Sequence, residues 1–405
     1  MTQAVSVRAI RPAESRLIAA VCGAHLMSHY YMLMLAPLLA FVRHDFNVSY
    51  TELALAPTVF NVVSGLLQTP VGFFVDRVGA RIVLVFGLAL SSTAYAVAGL
   101  CGSYWVFIAM YGVAGLGNTV YHPSDYSLLS QHAPKERLSQ VFSYHTFAGM
   151  VGSAIAPATL LYMQSLFGWR GAYIGAAVFG FIVLLALIAQ PEPGEVTPHA
   201  GKAASLAHRN AQSSWHVLLT LPILLNLAYF ILTSIMGGGL NTYLVVALGA
   251  LHSTPAPIAN MALTSLLAMN AVGVLVGGVL AGRTRHHAAV AASGLGVGGV
   301  VTALVGLFNI SPAELVLLMG FSGFCVGLTY PSRDMLVRAV TPVGAYGLVF
   351  GFVSVGFNIG ASIAPMAYGT LMDNGLPRGV FLLSAAVSII CITTVTFGFS
   401  GRQTH

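Results

Sequence analysis

The sequence predicts an all-α integral membrane protein: twelve transmembrane helices arranged as two pseudo-symmetric six-helix bundles. Three observations predict it: a shortage of charge, a succession of twelve apolar runs, and an ungapped internal repeat. Charged residues make up 7% of the 405-residue chain and hydrophobic residues 57%, against roughly 25% charge in an ordinary soluble domain. A soluble globule cannot cover its surface with so few charges. A bilayer removes that need, because the outer face can be as apolar as the core.

The apolar runs, each near the ~20 residues that cross a bilayer, occupy 17–42, 50–73, 81–100, 104–129, 138–163, 171–190, 215–246, 256–280, 288–308, 313–337, 345–372 and 378–399. The first is too long for a cleaved leader, so a retained first span is expected. If the N-terminus is cytoplasmic, only Arg43, Arg170 and Arg378 of the 17 Lys and Arg residues fall outside. That asymmetry predicts cytoplasmic termini in an inner membrane and explains the net charge of +6 without nucleic acid. A Pro-, Gly- and Ser-rich stretch, 191–214, reads as a cytoplasmic linker between an N-terminal bundle (1–190) and a C-terminal bundle (215–405). Cys22, Cys101, Cys325 and Cys391 lie scattered in apolar segments as packing residues.

A shift of 208 residues aligns 123–157 with 331–365 at ten identities, including Pro123/Pro331, Pro134/Pro342, Gly152/Gly360 and Pro157/Pro365. Apolar bias repeats Leu and Val, but it does not place three prolines in register. The repeat predicts two halves rocking about a central site, an architecture of secondary transporters.

The loop after the second run, Gly72-Phe-Phe-Val-Asp76-Arg77-Val-Gly79-Ala-Arg81, resembles the G-x-x-x-D-R-x-G-x-R signature of the major facilitator superfamily, and Gly278–Arg285 is a degraded second copy. His25-x-x-Ser28-His29-Tyr30, Leu35-Ala-Pro37 and Gly115-Leu-Gly117-Asn-x-x-Tyr121-His122-Pro123 resemble the fosmidomycin-resistance exporters of that superfamily. The chain departs from them at His29, where they carry Asp, and keeps only part of their span-five pattern in Gly149-x-x-Gly152 and Pro157. The resemblance implies alternating access, the signature residues in conformational control, and proton-coupled efflux of a drug or metabolite. Proton-coupled uptake of a small organic anion bound through Arg333 is the alternative, and a transport-dead sensor is a third reading.

Ionisable groups within spans are costly and hence candidates for function. His25 and His29 share one face of the first span, as cavity-lining or proton-carrying groups or as neutral packing residues. Tyr121, His122 and Asp125 lie in the fourth span, where a His122–Asp125 hydrogen bond is expected. Asp125 aligns with Arg333, predicting an ion pair between halves that closes the cytoplasmic gate; Arg333 pairing with Asp334 is the competing expectation. Unpaired, Arg333 would offer a carboxylate or phosphonate site. His145, Asn241, Tyr243, Tyr330 and Asn358 are weaker polar candidates, and Gly237-Gly238-Gly239 predicts a bend or close packing in the seventh span. Gly294-Leu-Gly296-Val-Gly298-Gly299 satisfies G-x-G-x-x-G but lies inside a span, and no G-x-x-x-x-G-K-[ST] loop occurs. The expectation is therefore a monomeric transporter, not an enzyme, with protons as coupling ion and no cofactor or metal.

Overall fold

The computed structural model describes residues 11–134, 137–190, 215–342 and 346–399. The linker expected at 191–214, both termini and the side chains of Gly72 and Asp76 lie outside the described residues.

The first half comprises α1 (Pro12–Met32), a 3₁₀ turn (Ala36–Leu38), α2 (Leu39–Phe46), α3 (Tyr50–Val78), α4 (Ala80–Leu100), α5 (Tyr104–Asn118), α6 (Tyr121–His132) and α7 (Leu138–Ile188). The second comprises α8 (Trp215–Leu218), α9 (Leu221–His252), α10 (Ala256–Arg283), α11 (His287–Leu307), α12 (Pro312–Val340), α13 (Tyr346–Asp373) and α14 (Pro377–Phe399). These elements stack into twelve spans.

Local chemistry explains where the rods differ from the runs. Pro37 lacks an N–H and crowds the carbonyl of Leu33, so the first span breaks into α1 and α2. Pro123 does the same to Thr119, separating α5 from α6; at 15 and 12 residues neither crosses alone. The expected boundary between spans five and six survives only as a turn at Gly168 (φ 69°) inside α7. Gly79 (φ 102°) is the whole connection between α3 and α4, a backbone position that glycine adopts at little cost. The seventh span begins only at Leu221, after a break. Its glycine triplet does not unwind it, and Gly239 packs against the Tyr368 ring.

Glycines at equivalent positions do equivalent work in the two halves. Gly115 lies against the backbone of Phe60, and Gly323, 208 residues later, against that of Leu266. Gly152 meets Leu26 and Gly360 meets Ile231 in the same way. A Cβ at any of these would strike a carbonyl, so small residues set how closely the rods approach.

The halves meet along the first half of α3 and the last half of α13. Tyr50 N–H and Thr51 N–H donate to Asp373, Thr58 Oγ1 to the Ser362 carbonyl, and Asn61 Nδ2 to the Ala361 carbonyl. Gly65 abuts Asn358. One apolar core, containing Leu53, Tyr243, Leu244 and Tyr368, joins both halves at this end. A second core at the opposite end (Tyr229, Phe230, Leu336, Val353) belongs to the second half alone. Beyond Gly65, Leu66, Phe74 and Val355 are exposed. The bundles thus close at the end holding Tyr50 and diverge towards the end holding Val78.

Candidate functional site

The break at Thr119–Val120 starts a new helix whose first turn presents Tyr121, His122 and Asp125. Across from it, α1 contributes His25 and His29, and α7 contributes His145. Gly149, one turn beyond His145, makes room: a Cβ there would lie 2.8 Å from His29 Cδ2 and 2.9 Å from His25 Cδ2. Three helices thereby converge on a cluster of four imidazoles and one carboxylate.

Asp125 is fully buried. His145 Nε2 lies 2.9 Å from its Oδ2 and donates a hydrogen bond to it. His25 Nδ1 lies 3.2 Å from the same oxygen, off the hydrogen-bonding direction. The His25 and His145 rings stack at 3.7 Å, with His29 edge-on to His25 at 4.8 Å. His122 stands 5.3 Å from the His25 ring, exposed, and faces Tyr126. The hydrogen bond expected between His122 and Asp125 is therefore replaced by one from His145, which spacing along the chain could not reveal. Asp125 Oδ1 and His145 Nδ1 have no hydrogen-bond partner among the described residues.

A buried carboxylate without a balancing positive charge is strongly unfavourable. With one proton on the cluster, imidazolium and carboxylate compensate; stacked imidazoles 3.7 Å apart oppose a second cation.

Around the cluster, Ser28 Oγ donates to Asn118 Oδ1 and Asn118 Nδ2 to Ser64 Oγ, both at 2.9 Å, tying α1, α5 and α3 together. Neither Asn118 nor Ser64 was singled out from the sequence, although Asn118 lies in the motif that carries the family resemblance. His29 Nδ1 lies 3.3 Å from Ser153 Oγ. Tyr30 bonds Thr159 at 2.9 Å, and Tyr121 is buried.

The remaining candidates lie apart from this cluster. Arg333 Nε and Nη2 bond the Asp334 carboxylate, both at 2.9 Å, and the guanidinium faces the rings of Phe230, Tyr330 and Phe357 at 4.5–5.3 Å. It is not unpaired, and this state does not bring it to Asp125. Asn241 and Tyr330 line a small cavity of about 80 Å³ within the second half, with Asn270, Thr302, Ser322 and Ser384. Asn358 serves the contact with Gly65, and Tyr243 donates to the Pro365 carbonyl. In the signature loop, Arg77 is exposed, while Arg81 donates to the carbonyls of Leu187, Ile188 and Gln190, capping the end of α7.

A sequence profile of the Major Facilitator Superfamily matches residues 21–284 and 230–403. The chain belongs to that superfamily. This facilitator is accordingly a multi-pass membrane transporter of small molecules and not an enzyme. It is 22% identical over 386 residues to the fosmidomycin resistance protein of Escherichia coli K12, covering 94% of this chain and 92% of that protein. It is 25% identical over 144 residues to the probable L-galactonate transporter of the same organism, covering 36% of this chain but 32% of the relative. Its fold matches a bacterial homolog of the human lysosomal transporter Spinster, crystallised inward-facing and unoccupied, with TM-score 0.78, 13% identity, and coverage of 96% and 97% of the two chains.

Proposed function

We propose that this facilitator is a proton-coupled exporter of a small organic solute, working by alternating access in an inner membrane with both termini cytoplasmic. The observation that carries the reading is the buried Asp125 with two imidazole nitrogens at 2.9 and 3.2 Å of one oxygen. A charged group is retained inside a bilayer only where it is compensated, and such groups mark ion pathways. With the basic residues cytoplasmic, the diverging end faces the cytoplasm, so exposed His122 connects the cluster to that side. Solute binds between the halves, with Asn241 and Tyr330 supplying hydrogen bonds from the second. Asp76 and its signature loop take part in conformational control, as does an Asp125–Arg333 pair that closes the cytoplasmic end in the opposite state.

The second reading, uptake of an organic anion, draws on the buried cation Arg333 and the local likeness to a galactonate transporter. Asp334 already neutralises that guanidinium, so an anion would have to displace a carboxylate. Export through the histidine cluster therefore stands first.

Proteoliposomes with a trapped pH dye test it. Fosmidomycin, L-galactonate and a panel of cationic drugs are added in turn to vesicles bearing a pH gradient. Solute movement that dissipates the gradient, and stops in Asp125→Asn, is the expected result. Flux of any of these solutes with no accompanying proton movement would overturn the coupling; flux in inverted or right-side-out vesicles decides direction.

A further inference from the structure

We propose that His25, Asp125 and His145 also form a binding site for a first-row divalent metal ion such as Zn²⁺. The sequence showed no metal constellation, because its ligands come from three helices and are separated by 100 and 20 residues (25 to 125, 125 to 145). The fold brings one ligand atom from each within 4.8 Å of the others, all three residues buried. A tetrahedral Zn²⁺ holds nitrogen and oxygen ligands at about 2.0–2.2 Å, which separates neighbouring ligand atoms by about 3.3–3.5 Å. The 2.9 and 3.2 Å spacings between Asp125 Oδ2 and the two imidazole nitrogens fall just short of that separation, so the ligands need open only slightly to admit the ion.

The donor set is two imidazoles and a carboxylate, a combination that suits Zn²⁺ and its borderline neighbours over Mg²⁺ or Ca²⁺. His25 Nδ1, Asp125 Oδ1 and His145 Nδ1 are buried without hydrogen-bond partners among the described residues. Of these, His25 Nδ1 is itself one of the converging ligand atoms, and the other two sit on the converging side chains. Binding splays the stacked His25 and His145 rings so that each aims a lone pair at the ion. His122, exposed beside the cluster, lies on the route in.

This inference shares the cluster invoked for proton coupling but not its premise, since metal binding at equilibrium needs no gradient and no flux. The test uses purified full-length protein, titrated with Zn²⁺ in a calorimeter and with Co²⁺ in a spectrophotometer. One ion per chain and the visible bands of tetrahedral Co²⁺ are expected, weakened roughly tenfold or more by His145→Ala. His145→Cys keeps a metal-binding side chain at that position, on a shorter stem, so it should restore binding and add a thiolate-to-Co²⁺ charge-transfer band. The exposed His286 with its neighbour His287 is the competing surface site, and H286A/H287A should leave binding unchanged. Loss of binding in that double variant, absence of the thiolate band in a folded His145→Cys protein, or no stoichiometric binding at all would overturn the proposal. Pyranine flux without Zn²⁺ reports separately on the transport reading.

Discussion

Asp373, the last residue of α13, caps the first turn of α3: its Oδ1 accepts the Tyr50 N–H at 2.7 Å, and its Oδ2 accepts the Thr51 N–H at 2.7 Å. A helix starts with unpaired N–H groups and a partial positive charge. Here they are answered by a carboxylate from the other half of the molecule, so this end closes through a charge–dipole contact between bundles. Arg43 stacks over Tyr50 at 4.3 Å and adds positive charge nearby.

Asp373→Ala should therefore loosen the closed end. Hydrogen bonds to a charged group are worth about 1.5–3 kcal/mol, enough to move a two-state population by tenfold or more. Spin labels placed on α3 and α13 near that end should show a growing population of longer distances. An unchanged distance distribution would make the contact incidental.

Replacing Asp125 with Asn should abolish gradient-driven transport by about two decades while leaving downhill exchange of solute measurable. The amide cannot balance an imidazolium, so the cluster loses its proton rather than its shape. Equal loss of both modes would assign Asp125 a structural role.

Gly152→Ala and Gly360→Ala should each lower thermal stability, by about 1–3 kcal/mol, because the added methyl meets the Leu26 or Ile231 carbonyl. Gly351→Ala has nothing within 4 Å and should be neutral or slightly stabilising. A melting curve of each in detergent checks the contrast, and equal effects at all three positions would contradict it.

Asp334→Asn frees Arg333 from its carboxylate. If Arg333 then reaches Asp125 across the diverging end, labels at Tyr126 and Met335, both exposed, should draw together. A buried ion pair is worth about 3–5 kcal/mol to break, so the shift in population should be large. No shift would leave Arg333 to its aromatic surroundings alone.

Much of this architecture was legible in the chain because the bilayer acts on composition and period directly. Span number, the Gly152/Gly360 pair and the repeat follow from apolar runs and the ungapped internal alignment. The breaks at Pro37 and Pro123 are visible afterwards as proline effects, yet an apolar run hides them. Partnerships across helices were another matter. His145 reads as a minor polar residue until α7 is laid beside α1, and its union with Asp125 depends on Gly149 one turn away. Asp373 carries no sequence signal at all, since its partners are backbone groups 323 and 322 residues distant.

The interruption between α5 and α6 has a mechanical consequence. Helix α6, 12 residues long, is a stiff bar of about 18 Å hinged at Thr119–Val120, and Asp125 sits near its pivot. Tilting such a bar by roughly 5° moves its far tip by about 1.5 Å. Filling or emptying the histidine cluster would thus be geared up into a sweep of Gln131 and His132 at the membrane face. A Cys at Gln131 whose alkylation rate ignored pH in the wild-type background would rule that gearing out.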